Sequence, residues 1–193
     1  MSAWIKMISD EEADGNLLEA LNQAKTPHGT VDNVLRVHSL RPNTMKAHMA
    51  LYKSVLHDDT NTLPTWFQET LGSYVSILNG CEYSLSNHWS NAEYLIDDKK
   101  RSEEIWNALI NKTPRNAFVG AELALLNYAE RLTTSPSTIK QIYIKRLSTL
   151  GVEDSEILEV NQIVCYFNYV NRVINGLGVS TEGDTVGFYS KSK

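Results

Sequence analysis

Apolar residues return at steps of three and four along most of this 193-residue chain, and no stretch between turn signals alternates with a period of two. Met45, His48, Met49, Tyr52, Val55 and Leu56 make one such stripe, and Phe67, Leu71, Tyr74, Val75 and Leu78 make another. Buried faces are therefore confined to helices, because a half-buried strand needs the period-two pattern. The expected fold is all-α.

Breakers and caps divide the pattern into elements. Ser9-Asp10-Glu11-Glu12 has the Ser-x-x-Glu form of a capping box and is expected to open a helix reaching about Ala24. A short segment over 31–40 is stopped by Pro42, and a helix over about 43–57 follows. Pro64 suits the first turn of the next helix, which runs up to the breaker pair Asn79-Gly80. Further helices are expected at about 83–96, 101–111, 117–133 and 137–150, the last closed by Gly151. Asp154 is expected to cap a long helix through Ile157, Val160, Val164, Phe167, Val170 and Ile174 that ends at Gly176 and Gly178. The apolar content of 42% suits one domain over residues 1–180, followed by a polar tail over 181–193 that frays.

The formal net charge of −5 and the scattered Lys and Arg residues argue against a nucleic-acid partner. The N-terminal MSAWIKMISDEEADG lacks the basic flank and apolar stretch of a signal peptide, and no apolar run approaches the ~18 residues of a membrane span. A cytoplasmic protein without a membrane partner is expected. Two cysteines, Cys81 and Cys165, are too few for a disulfide framework, so thiol chemistry would be local. His28, His38, His48 and His57 show no metal-ligand spacing with each other or with a cysteine, and neither metal nor cofactor is expected.

The residues that can carry chemistry gather in Asn79-Gly80-Cys81-Glu82-Tyr83-Ser84-Leu85-Ser86-Asn87-His88. If this stretch is helical from Cys81, then Cys81, Ser84 and His88 share one face. Just past a glycine break, Cys81 would sit at a helix N-terminus, where unpaired N–H groups favour a thiolate and lower its pKa. A lone buried cysteine at a helix start is, however, usually an inert small hydrophobic side chain. Glu69 stands twelve residues before Cys81. Along one unbroken helix that is roughly 18 Å at ~1.5 Å per residue, but a reversal at Asn79-Gly80 would bring Glu69 opposite the His88 turn. A carboxylate would then orient an imidazole beside a thiol, which is a proton-relay arrangement. Cys165, inside the apolar stripe of the last helix, reads as structural, and Tyr166, Phe167 and Tyr169 read as core and rim packing.

The order Glu69, Cys81-Glu82-Tyr83-Ser84, His88 resembles the Glu…Cys-x-x-Cys-x-x-x-His motif of the alkyl hydroperoxidase D-like superfamily, which includes the carboxymuconolactone decarboxylases. Val34-Leu35-Arg36-Val37-His38-Ser39-Leu40, Ala124-Leu125-Leu126-Asn127-Tyr128-Ala129 and Tyr166-Phe167-Asn168-Tyr169-Val170-Asn171-Arg172 look like its branch of peroxidase-related enzymes. The resemblance spans roughly residues 5 to 180. It implies an all-helical fold of two related repeats, centred on 63–96 and 152–178, assembled as a homo-oligomer. Glu156-to-Asn168 repeats the Glu69-to-Cys81 interval, and Asn175 falls where His88 does.

In the redox members of that family the cysteine at the position of Ser84 attacks peroxide, the one at the position of Cys81 resolves the sulfenic acid, and Glu and His relay protons. Glu69, Cys81 and His88 match this pattern and Ser84 departs from it, since a serine forms neither a sulfenic acid nor a disulfide. The resemblance implies a peroxidase-related antioxidant enzyme with Cys81 as its one motif thiol and Glu69 and His88 as the acid–base pair. Ser84 would hydrogen-bond the thiolate or a water, peroxide would be the substrate, and an external thiol would be the reductant. Two other readings stand beside it. In one, Glu69 and His88 transfer protons on a small carboxylic or lactone substrate without redox chemistry; in the other, the fold is an oligomeric binding module with a vestigial site.

Overall fold

The structure, a computed structural model, describes residues 2–26 and 28–189. Among these residues the regular elements are helices alone, with no strand. Helix α1 spans Gly15–Gln23, α2 Asn33–Arg36, α3 Pro42–Leu56, α4 Thr65–Asn79 and α5 Glu82–Ile96. They are followed by α6 Lys99–Ile110, α7 Gly120–Thr134, α8 Gln141–Thr149 and α9 Asp154–Leu177. No helix among the described residues is long and apolar enough to cross a membrane.

Helix α4 is the axis of the fold. Every residue from Phe67 to Ser76 is buried, so the helix is enclosed on all sides, and α5, α7 and α9 pack around it. Its start is pinned from a distance. The Glu159 carboxylate on α9 accepts Thr62 N–H at 2.9 Å, Thr62 Oγ1 at 3.0 Å and Leu63 N–H at 3.2 Å, which holds the loop before α4 against α9.

Apolar residues divide into two clusters rather than one. The larger joins α4, α5, α6, α7 and α9, while Leu17, Ala20, Leu21, Ala24, Val31 and Met45 from α1, α3 and the loop between them form a smaller one. The seam between the clusters is where a cavity opens.

Several boundaries differ from the sequence expectation for local reasons. Ser9 and Glu12 do exchange the two capping-box bonds, each 3.3 Å long, yet they close only a turn, and α1 starts later at Gly15. Pro114–Asn116 and Pro136–Thr138 each form a short 3-10 turn, which delays α7 and α8. The cap of α9 is Glu153, whose backbone N–H is bonded by Glu156 at 2.8 Å; Asp154, expected as the cap, is already helical. The matching intervals 69–81 and 156–168 have unlike geometry, because the first crosses the reversal after α4 and the second lies within the unbroken α9.

Helices α4 and α9 approach at Gly72. A Cβ built there would lie 2.2 Å from the Phe167 ring, far inside van der Waals contact, so only glycine lets Phe167 seat against α4. Phe167, fully buried, in turn meets the His88 ring at 4.5 Å between centroids, edge to face. Gly72→Ala should therefore destabilise the fold by ~1–3 kcal/mol, the usual cost of overpacking a filled core, measured as a lower urea midpoint at unchanged slope.

Candidate active site

The site begins with a chain reversal. Gly80 takes the left-handed conformation at φ +61°, and the Cys81 N–H returns to Ser76 C=O at 2.9 Å, satisfying a carbonyl of the last turn of α4. Helix α5 consequently folds back along α4 instead of continuing it. Glu69 and His88, nineteen residues apart in sequence, meet with 2.6 Å between Glu69 Oε2 and His88 Nδ1. The other carboxylate oxygen, Oε1, accepts Asn91 Nδ2 at 3.3 Å. Glu69 is only 1% exposed, so the pairing is its compensation for leaving water. With Nδ1 turned to the carboxylate, Nε2 is the imidazole nitrogen left to carry the lone pair.

Ser84 and His88 both line the cavity, one turn apart on α5. Behind Ser84 lies a buried polar chain: Asn79 Nδ2 donates to Asn171 Oδ1 at 3.0 Å, Asn171 Nδ2 to Ser76 Oγ at 3.3 Å, and Ser76 Oγ to Ser84 Oγ at 3.0 Å. These bonds hold the Ser84 oxygen at a set place on the wall.

Cys81 stands at the start of α5 as expected, and of its two readings the structure favours the buried one. It precedes the first turn of α5, but it is 1% exposed and lies outside the cavity lining. Burial pushes its thiol above the ordinary value, against a smaller opposing pull from the Ser84 backbone N–H. The lowered pKa expected of a helix N-terminus is thus overturned: that effect is outweighed once the thiolate would have to be desolvated. Cys165 is corrected as well. Its neighbour Val164 is fully buried, but Cys165 itself turns outward and is exposed, with Sγ 3.8 Å from Asn161 Oδ1. An alkylating agent should label Cys165 well before Cys81 in the native protein; peptide mapping that found Cys81 labelled first would contradict the burial described.

The cavity has a volume of about 160 Å³ and opens to solvent at its mouth. Tyr52, Val170 and Ile174 give it apolar walls, and Ser84, Asn87 and His88 supply polar groups from α5. Over it lies the segment expected to fray. Asp184 accepts Asn33 N–H at 3.0 Å and Tyr83 Oη at 2.5 Å, Gly187 N–H donates to Asn87 Oδ1 at 3.1 Å, and Phe188 N–H donates to Asn91 Oδ1 at 2.7 Å. Residues 181–189 are thereby a strap fastened to α2 and α5, not a loose end, and residues 190–193 lie outside the described residues. Asn91 joins the strap to Glu69. Sequence reasoning missed this link and also missed His48 and Tyr166 on the cavity wall, since the partners of all three are remote in the chain. Among the described residues no three His, Cys, Asp or Glu side chains converge as a metal site.

No family model matches this sequence, and no curated protein matches it. Solved structures do. An uncharacterized peroxidase-related protein from Ralstonia eutropha, described as an alkylhydroperoxidase AhpD core, superposes with a TM-score of 0.80 at 15% identity, covering 94% of this chain and 93% of its own. The chain has the AhpD-like fold. A second peroxidase-related protein of that fold, from Silicibacter sp., gives 0.77 at 20% identity over 93% and 91% of the two chains. The debrominase Bmp8, solved in complex with 2,3,4-tribromopyrrole, gives 0.70 at 17% identity over 92% and 90%. At such identities the AhpD-like likeness is one of backbone architecture, and chemistry has to be argued from the side chains this chain carries.

Proposed function

We propose that this protein is an enzyme of the AhpD-like family whose cavity works by proton transfer on a small molecule, with His88 as the base and Glu69 as its orienting partner. The observation that carries the reading is that the Glu69–His88 pair and Ser84 meet at the cavity wall while the motif thiol, Cys81, is buried outside it. His88 Nε2 takes a proton from the ligand, and the positive charge that develops on the ring is held by the Glu69 carboxylate at Nδ1. The Ser84 hydroxyl orients a ligand polar atom or a water. The apolar cavity walls favour a compact ligand with few charges. The debrominase among the structural neighbours, seen with a tribromopyrrole, supports a flat, small-ring ligand as the size this fold accommodates.

A homo-oligomer accompanies this proposal, supported by apolar side chains such as Leu40 and Val119 that stand exposed on the single chain.

The test is exchange of carbon-bound hydrogen for deuterium, followed by proton NMR in D2O on a panel of small carboxylic acids and lactones. One or more should exchange, His88→Ala should slow that exchange by about 10²–10⁴-fold, and Cys81→Ser should leave it unchanged. Peroxide consumption that Cys81→Ser abolishes, with sulfenic acid found on Cys81, would replace this reading by the thiol-peroxidase one.

Ser84→Cys provides a further check on the local geometry. Residues three apart at a helix start stand within the ~4.4–6.8 Å between Cα atoms that a disulfide needs. The variant should form an intramolecular disulfide with Cys81 under peroxide, seen as a mass loss of two hydrogens and as two fewer alkylatable thiols than in the reduced variant, Cys165 alone remaining. Persistence of both thiols would mean that residues 81–84 do not have the turn described.

A further inference from the structure

Helices α3 and α9 bring a second polar chain to the same cavity. His48 Nδ1 lies 3.1 Å from His38 Nε2, and His48 Nε2 lies 3.1 Å from Tyr166 Oη. His48 and Tyr166 are buried and both line the cavity, whereas His38, on the turn between α2 and α3, is half-buried and within reach of solvent.

The protonation states of the three groups are constrained. Burial pulls the His48 pKa down to about 4, helped by His38, and pulls His38 down too. Burial also pushes the Tyr166 phenol well up. At neutral pH each imidazole therefore has one N–H and one lone pair, and the phenol keeps its proton. Three neutral groups, each able to accept one hydrogen bond while donating another, form a continuous proton path. With His38 donating from Nε2 to His48 Nδ1, and His48 donating from Nε2 to Tyr166 Oη, the phenol O–H is left to point into the cavity.

A base alone removes a proton from carbon beside a carbonyl poorly, because the charge arriving on oxygen needs a donor placed to meet it. The cavity holds both kinds of group: His88 backed by Glu69, and Tyr166 backed by two histidines. We infer that Tyr166 is the catalytic acid toward the ligand oxygen, relayed by His48 and His38, so that the substrate class is a small enolisable carbonyl compound. This rests on the proton-transfer reading of His88.

The step balances without any co-reactant. The C–H bond breaks as His88 Nε2 takes the proton, its electron pair forms the new C=C bond, and the carbonyl π pair moves onto oxygen. Tyr166 gives its proton to that oxygen, His48 Nε2–H restores the phenol, His38 Nε2–H restores His48, and solvent restores His38. His88 returns its proton to solvent, and the net change is keto to enol.

The probe is 4-nitrophenol, whose phenolic oxygen stands in for the enolate oxygen and whose absorption separates phenol from phenolate. Tyr166→Phe should weaken its binding at least about tenfold, raise the apparent pKa of the bound probe, and lower kcat for deuterium exchange more than it raises KM. Since that change leaves His48 Nε2 without its partner, circular dichroism and a melting curve accompany it. His48→Gln is the second variant, keeping a hydrogen-bond partner for Tyr166 but passing no proton. It should hold 4-nitrophenol with near wild-type affinity while exchange kcat falls at least about tenfold. If both variants bind and exchange like the wild type while His88→Ala abolishes exchange, the Tyr166 inference is overturned and the proton-transfer reading stands. If His88→Ala also exchanges normally, the proton-transfer reading falls, and this inference with it.

Discussion

A carboxylate buried in the middle of a helix bundle is the constraint on which the rest of this structure turns. Glu69 sits on the enclosed helix α4 with 1% of its surface exposed. Leaving it there unpaired would cost several kcal/mol, so both oxygens must find donors. They find His88 and Asn91, which lie one turn apart on α5, and only an α5 folded back along α4 can present both. The left-handed turn at Gly80, the close approach at Gly72 and the placement of Phe167 under His88 all serve that pairing. Asn91 extends it to the surface, because its Oδ1 takes the Phe188 N–H and fastens the strap over the site.

The cavity is a consequence of having two apolar clusters where a chain of this size could have one. The α1–α3 cluster and the α4–α9 cluster each pack within themselves, and the seam between them is lined by side chains with a polar end and an apolar body. Tyr52, Tyr166, His48 and His88 are of this kind. They cover the apolar flanks while offering hydrogen bonds to whatever enters, which is the usual make-up of a small-molecule site.

Legibility in the sequence followed interaction range. The helices of the all-α fold were readable because the 3.6-residue period is a local property, and the turns at Pro42, Pro64 and Gly151 because Pro and Gly act on their own backbone. The pairing of Glu69 with His88 was readable only on condition of a reversal, since Asn79-Gly80 signals a break but not its direction. The lowered thiol pKa expected of Cys81 failed because helix-terminus electrostatics is legible in sequence whereas desolvation depends on what packs above the residue. Cys165 was misplaced because an apolar stripe shows which residues recur and not how wide the buried face is: one residue is ~100° of helix, enough to carry Cys165 out of the core. The Ser9–Glu12 bonds formed as read, yet bonds that can cap a helix can equally close a turn.

What this chain determined by itself is therefore its class, most of its helices, and the presence of Glu69, Cys81, Ser84 and His88 in an order like that of the alkyl hydroperoxidase D-like motif. The tertiary structure alone decided which of them face one another and which face the cavity. It set Ser84 on the wall and Cys81 behind it, drew residues 181–189 across the opening, and joined His38, His48 and Tyr166 across 128 positions of sequence. The physical reason is that periodicity, capping and turn chemistry act over a few residues, whereas burial and hydrogen-bond partnership are settled by the packing of helices remote in sequence, which no local pattern encodes.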